Sequence, residues 1–146
     1  MKKRKIILYI IGIMVIIGLA KIPQVLAYQP NVSSCTSKNI YQVIQHKQSG
    51  AQVGGSGTVV HILSDDNKGS RHQRFILKID RGNTLLFAHN IDLAEKLQGL
   101  KKGDKVAFCG EYQSNQRGGV VHWTHRAPST SHHFSGWLKW QGKIYQ

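Results

Sequence analysis

Apolar and polar residues alternate along much of the chain after residue 50, which is the pattern of strands buried on one face. Residues 72–80 are the clearest case, because Phe75, Leu77 and Ile79 alternate with polar neighbours. A β-branched run predicts an earlier strand over residues 58–63. Further strands are predicted over residues 84–91, 105–112 and 118–125, followed by a hairpin over residues 136–145.

One segment has the period of a helix instead. Leu93, Leu97 and Leu100 share a helical face, and Asp92 precedes them as a candidate N-cap. We therefore predict a short helix over residues 92–100, between the third and fourth strands. Three strands, a short helix and two strands are the order of a small OB-like β-barrel, so the expected fold class is mostly β. An open α+β sheet or a six-stranded barrel would give a similar pattern.

The first 27 residues have the layout of a secretory signal peptide. Four basic residues precede an apolar run over residues 6–20, and small side chains near Ala27 provide a cleavage site. The run is shorter than the roughly 20 apolar residues that span a bilayer, and an uncleaved N-terminal anchor is the alternative. Either way the protein is expected to be exported, to the periplasm or beyond the cell. The predicted parts are a signal peptide at 1–27, a polar segment at 28–52 with a short helix near 39–46, and an OB-like domain at 53–146.

Cleavage after Ala27 would leave a basic protein. The leader holds five of the 20 Lys and Arg residues and none of the seven acidic ones, so 15 basic and seven acidic residues remain, a formal net charge of +8. An exported protein this basic is expected to bind polyanions, such as nucleic acid or an anionic polymer of the cell envelope. The basic residues are scattered, and no block of them marks a binding site.

The two cysteines, Cys35 and Cys109, are candidates for a disulfide bond, because exported proteins fold in an oxidising compartment. One alternative is that Cys109 is a buried free thiol. Another is lipidation of Cys35, since residues 32–34 loosely resemble a lipobox. The polar residues 28–31 separate Cys35 from the apolar run, which disfavours lipidation.

Three polar segments place histidine, amide and carboxylate groups at strand ends. They read SRHQRF at 70–75, AHNIDLA at 88–94 and GGVVHWTH at 118–125. A rigid sheet holds groups at such positions open to solvent, as binding and catalysis require.

Together with GEY at 110–112, GWL at 136–138 and YQ at 145–146, these segments resemble a family of small exported bacterial proteins known only as a domain of unknown function. The resemblance covers about residues 55–146 and implies no activity. In that family an acid-and-proline pair tends to follow HWTH, whereas Arg126, Ala127 and Pro128 stand here.

Acid–base catalysis is one function that these segments could support. Imidazole and carboxylate groups exchange protons near neutral pH, and Glu111 could join them in one cleft. Arg71 and Arg74 would hold an anionic substrate, which suggests a phosphodiesterase or a nuclease-like hydrolase. The chain has no Gly-x-Ser-x-Gly elbow and no P-loop. The candidate catalytic residues are His72, His89, Asp92, His122 and His125.

A divalent metal ion is an open alternative, although the sequence requires no cofactor. His72, His89 and either His122 or His125 could converge across neighbouring strands as ligands. Within a strand, a spacing of three would send His122 and His125 to opposite faces, unless the strand ended near Trp123. The spacing of these histidines has none of the specificity of a zinc-finger pattern.

Ligand binding is the interpretation that we favour from the sequence. OB barrels bind oligonucleotides and oligosaccharides through stacking aromatic residues and basic grooves. We expect a polyanionic or oligomeric ligand, nucleic acid or an envelope polymer, on a face rich in His, Arg and Trp. The hydrolase is the alternative, and a structural envelope protein without a ligand is a third hypothesis. The candidate ligand-binding residues are Arg71, Arg74, Asn90, Trp123 and Trp137.

Overall fold

The computed structural model describes residues 35, 39–79, 82–129 and 132–146. The predicted signal peptide or anchor therefore lies outside the described residues. Within these ranges, no helix has the length and hydrophobicity needed to cross a lipid bilayer. The elements in chain order are α1 (Ile40–Gln45), β1 (Ala51–Ile62), β2 (His72–Ile79), β3 (Thr84–Asn90), β4 (Lys105–Gln113), β5 (Val120–His122), β6 (Trp137–Trp140) and β7 (Lys143–Tyr145).

Five strands close into a barrel. They pair in the order β1, β2, β3, β5 and β4, and β4 pairs again with β1. Strands β3 and β5 are parallel, and the other neighbours are antiparallel. The hairpin of β6 and β7 extends the sheet, because β6 shares one edge of β4 with β5. The predicted OB-like β-barrel is confirmed, and the open-sheet and six-stranded alternatives are wrong.

Aromatic rings fill the barrel interior from alternating positions of the strands. Phe75 stacks on Phe87 with ring centroids 5.5 Å apart, and Phe87 meets Phe108 edge-on at 4.7 Å. All three side chains are fully buried. Because β-strand side chains alternate between faces, the residues between them point outward and remain available for binding.

The predicted helix between β3 and β4 is wrong, because residues 91–99 form turns instead. The buried side chain of Gln73 holds this connection: its Oε1 accepts a hydrogen bond from Leu97 N at 2.9 Å, and its Nε2 donates to Leu97 O at 3.0 Å. Gln73 thus satisfies both backbone groups of Leu97, which a helix would pair internally. The helix lies before the strands, as α1, where residues 39–46 were predicted to form one. Asn39 caps it by accepting a hydrogen bond from Tyr41 N.

A disulfide bond between Cys35 and Cys109 ties the start of the described chain to the barrel, as predicted. Gly54 lies opposite Cys109 in the sheet. A Cβ on Gly54 would lie 2.7 Å from the Cβ of Cys35, so only glycine permits this approach. The glycine-rich residues 54–57 are part of β1. The strand therefore begins at Ala51, earlier than the predicted start at residue 58.

Candidate functional site

The outward face of β2 and β3 carries most of the polar residues singled out in the sequence. On this face the cross-strand neighbours are His72 and Asn90, Arg74 and Ala88, and Ile76 and Leu86. These side chains are all partly exposed. The face ends in a cavity of about 230 Å³. We call this cavity the histidine pocket; its lining includes His72, Asn90, His122, Trp123 and His125, together with Ser70.

The HWTH segment reaches the histidine pocket because β5 is shorter than predicted. It ends at His122, and Trp123 adopts a left-handed backbone conformation with φ of 53°. Such a conformation is uncommon for a bulky residue and costs free energy, so the surrounding structure must hold it in place. The reversal brings His122 and His125 to one cavity, whereas a continuous strand would separate them.

Two glycines of the recognised segments make room for this reversal. A Cβ on Gly136 would lie 2.0 Å from Trp123 O, and a Cβ on Gly110 would lie 2.5 Å from His122 O. Any larger residue would displace the backbone of HWTH. The glycines in GEY and GWL are therefore needed for the shape of the pocket as much as for the fold.

Aromatic and imidazole rings pack around Trp123. The His133 ring stacks on the indole with centroids 3.9 Å apart, and the His122 and His125 rings lie tilted at 5.2 and 5.7 Å. His133 also meets His125 edge-on at 5.3 Å. One side of the indole is thus occupied by protein, and Trp123 still lines the pocket.

Burial favours the neutral form of two of the pocket histidines, His122 and His125. Burial lowers the pKa of His122, although the nearby carboxylate of Glu111, whose Oε1 is 3.5 Å from His122 Nε2, opposes that shift. Burial also lowers the pKa of His125. The Nδ1 atom of His125 lies 2.8 Å from Arg126 O and donates to it, which leaves the lone pair on Nε2. Glu111 is itself fixed by a hydrogen bond of 2.8 Å from Gln113 Nε2.

His89 lies outside the pocket, on the inner side of β3. It is fully buried, and both ring nitrogens are bonded. Nε2 donates to Glu95 O at 3.1 Å, which leaves Nδ1 to accept from the Thr124 hydroxyl at 2.8 Å. Burial lowers the pKa of His89 to about 4. This candidate catalytic residue is thus enclosed by the protein.

Asp92 and Arg71 hold each other instead of facing the pocket. Asp92 Oδ1 accepts from Arg71 Nε and its Oδ2 accepts from Arg71 N, both at 2.7 Å. These bonds lower the pKa of Asp92. Asp92 is therefore the partner of an arginine rather than the cap of a helix.

The remaining two candidates also lie outside the pocket. Arg74 donates from Nε to Ser64 O at 3.0 Å and stays on the outward face of β2. Trp137 is buried in a cluster with the disulfide bond and offers no ring face to solvent.

Metal binding finds no ready site in the described part of the chain. Across residues 35, 39–79, 82–129 and 132–146, no group of three or more His, Cys, Asp or Glu side chains is arranged to hold a metal ion.

Three residues that line or support the histidine pocket were not among the candidates from the sequence. Ser70 lines the pocket, His133 stacks on Trp123, and Thr124 anchors HWTH to His89. Ser70 and Thr124 lie inside the recognised segments, so the sequence contained a signal for them. His133 lies eight residues after His125 in sequence, outside the recognised segments, and only the fold brings it to the indole.

The fold and the site together define an OB-type β-barrel with a pocket of histidine and tryptophan on its outward face. The chain belongs to the family described as "Protein of unknown function (DUF3465)", whose sequence profile matches residues 22–146. The expected membership of a domain family of unknown function is thereby confirmed.

Other comparisons add little. No curated protein is significantly similar to the chain. The solved structure described as "Structural mimicry for functional antagonism" is similar at 14% identity and a TM-score of 0.43, covering 81% of this chain and 53% of its own. The chain thus spans about half the length of that structure, and the likeness carries no argument about function.

Proposed function

We propose that this protein is an exported OB-type domain that binds a polyanionic or oligomeric ligand on the outward face of β2 and β3. The ligand would be a nucleic acid or a polymer of the cell envelope. The observation that carries the proposal is the convergence of His72, Asn90, Trp123 and the two HWTH histidines in one open pocket, although they come from three distant segments. Solvent-facing sheet surfaces of OB barrels are where oligomeric ligands bind.

Basic side chains beside the pocket support an anionic ligand. Arg74 and Lys78 lie on the outward face of β2, and Arg117 lines a second cavity of about 310 Å³ that includes Ile76 and Leu86 from the same face. Several acidic residues elsewhere are bound to basic partners, which reduces their repulsion of a polyanion. These pairs are Asp65 with Lys96, Asp92 with Arg71, and Glu95 with Lys143.

Salt dependence of binding tests this proposal. Affinity for a single-stranded oligonucleotide or dextran sulfate should fall steeply with salt concentration, because each phosphate or sulfate contact releases counterions. Arg117→Gln should reduce the slope of log Kd against log salt by about one. Lys102→Gln is the matched control, because it removes one charge from an exposed turn before β4, outside the face. An absence of binding to both probes at low ionic strength would remove the proposal.

Export is part of the same proposal. The basic start and the short apolar run support cleavage after Ala27, and the disulfide bond is compatible with an oxidising compartment. N-terminal sequencing of protein recovered from the cell envelope should begin at Tyr28. Recovery of a chain that retains Met1 would favour the anchor instead.

A second candidate, a hydrolase of phosphodiesters, is favoured by the pair of Glu111 and His122. A carboxylate beside an imidazole fixes its tautomer and stabilises the imidazolium that forms when it takes up a proton. His122 Nε2 is buried 3.5 Å from Glu111 Oε1 without a hydrogen bond to it, and if it carries the proton, His122 would act as a base through Nδ1. His72 lines the same pocket and could supply a proton to the leaving group.

Kinetics on two single variants and their double variant separate this hydrolase from a binder. If the pair acts as a unit, His122→Ala, Glu111→Gln and their double variant should lose similar amounts of activity on single-stranded RNA, because such losses are not additive. A parent protein without turnover, with or without added divalent metal, would exclude the hydrolase and leave the binding proposal standing.

A further inference from the structure

The residues that line the histidine pocket include no lysine and no arginine. Burial lowers the pKa of two of its histidines, His122 and His125, which favours their neutral form. Arg71, next to His72 in sequence, has its charge paired with that of Asp92, which accepts from Arg71 Nε and from Arg71 N, both at 2.7 Å. The carboxylate of Glu111 also lies behind His122 and would repel an anion. The pocket therefore suits an uncharged part of the ligand.

The uncharged groups in the pocket match those of a planar heteroaromatic ring. The lone pair of His125 on Nε2 can accept a hydrogen bond. Asn90 Oδ1 already accepts from Asp92 N at 2.9 Å, which leaves the NH₂ of its amide to donate. Trp123 supplies an aromatic wall. The cavity of about 230 Å³ is smaller than the roughly 300–1,000 Å³ of sites for drug-sized ligands, so it admits one small unit of a longer molecule.

Cationic side chains lie next to the pocket, on the same face. The outward positions of β2 and β3 hold Arg74 and Lys78 and no acidic residue. Arg74 uses Nε to bind Ser64 O, which leaves its terminal nitrogens for a ligand. Arg117 is exposed at the neighbouring cavity. A neutral pocket beside a cationic strip fits a polymer with uncharged units and an anionic backbone.

We propose that the ligand is single-stranded nucleic acid, with one base inserted in the histidine pocket and the phosphates lying along Arg74, Lys78 and Arg117. This inference rests on the proposed binding function and names its ligand. Bases stack on aromatic side chains whatever their sequence, so the pocket would accept several bases. A sulfated or phosphorylated envelope polymer offers no planar ring and would contact the cationic strip alone.

An oligonucleotide without bases tests the inference directly. Binding of a 12-nucleotide oligothymidine is compared by fluorescence anisotropy with an abasic 12-mer, which keeps the phosphates, and with dextran sulfate. Base insertion predicts that the abasic strand binds about tenfold more weakly, because stacking on an aromatic ring accounts for about that factor per base. His72→Ala should remove most of this difference and leave the salt slope unchanged. Arg117→Gln should weaken both strands by the same factor, and Lys102→Gln should change neither.

Each contrary outcome has a distinct meaning. Equal binding of the two strands would overturn base insertion while leaving polyanion binding intact. Binding of dextran sulfate without binding of oligothymidine would assign the face to an envelope polymer. Failure of all three probes would remove the proposed function as well. If His72→Ala does not fold, free thymidine replaces it: thymidine should shift the indole N–H resonance of Trp123 in the parent, and an unchanged resonance would also overturn the inference.

Discussion

His89 and the histidine pocket lie on opposite sides of one strand, and the same residue type has different surroundings on each. His89, on the inner side of β3, is fully buried and has both ring nitrogens bonded. Its neighbour Asn90, on the outer side, lies opposite His72 and lines an open cavity. The face of the strand, rather than the residue type, therefore separates structural histidines from those that can meet a ligand.

The two regions are nevertheless coupled through Thr124. Its hydroxyl donates to His89, while the backbone around it carries Trp123 and His125 into the pocket. The inner network therefore positions HWTH from behind. Glu95 receives the other hydrogen bond of His89 through its backbone carbonyl, so the same ring also fixes the connection between β3 and β4.

Replacement of His89 should have the largest effect on stability. His89→Ala leaves the Thr124 hydroxyl and the Glu95 carbonyl without their partner, and each unsatisfied group costs about 1–3 kcal/mol. We expect the free energy of unfolding to fall by about 2–6 kcal/mol, measured by denaturant titration. An unfolding midpoint equal to that of the parent would contradict the structural role of this ring.

Acid should destabilise the protein through the same residue. The folded pKa of His89, about 4, lies below its unfolded value of 6.5, so the unfolded state binds more protons between these values. The contribution of His89 is complete above pH 6.5 and is lost as the pH falls towards 4, by about 3 kcal/mol in all. Denaturant titrations from pH 7.5 to pH 4 should show this decline. His89→Gln should flatten it, and an equally steep decline in that variant would assign the effect to other groups.

Replacement of His72 should affect ligand binding more than stability, the opposite of what we expect for His89. Its side chain is partly exposed and lines the pocket. His72→Ala should change the free energy of unfolding by less than about 1 kcal/mol, as partly exposed positions usually do. Binding of oligothymidine should weaken by up to about tenfold, because the inserted base loses the imidazole ring on one side of the pocket. A variant that binds like the parent but unfolds much more easily would place His72 with His89 among the structural residues.

Replacement of the Glu95 carboxylate should have the smallest effect. His89 uses the carbonyl of Glu95, whereas the carboxylate forms an exposed ion pair with Lys143, with N–O distances of 2.6 and 2.7 Å. Exposed ion pairs contribute little because water and salt screen them. Glu95→Gln should therefore melt at the temperature of the parent within error. A clear loss of stability would show that the side chain, and not only the backbone, supports the inner network.

Local patterns in the sequence were sufficient for most of the barrel. Alternation over residues 72–80 placed Phe75 and Leu77 inside, and the hairpin predicted over residues 136–145 forms as β6 and β7, with positive φ at Gln141 and Gly142 in its turn. The predicted leader implied an oxidising compartment, which favoured a disulfide bond between Cys35 and Cys109. These features depend on the periodicity of apolar residues and on the backbone preferences of single residues. Both can be identified from the sequence without knowledge of the fold.

The connection after β3 was predicted wrongly, because its leucine spacing fits a helix. The deciding groups come from elsewhere in the chain: the amide of Gln73 and the ring of His89 bind the backbone of this segment. Local periodicity contains no information about such partners, and side-chain hydrogen bonds compete with helical ones.

The residues that could form a site were evident from the sequence, since the three polar segments contain most of the residues of the pocket. How those residues divide between the pocket and the interior followed from the folded barrel. It placed His89 inside, bound Arg71 to Asp92, buried Trp137 beside the disulfide, and ended β5 at His122 so that HWTH turns into one cavity. The physical reason is that strand alternation fixes only relative orientation within a strand. Which side becomes the interior depends on how the barrel closes, and closure depends on contacts between residues far apart in the chain.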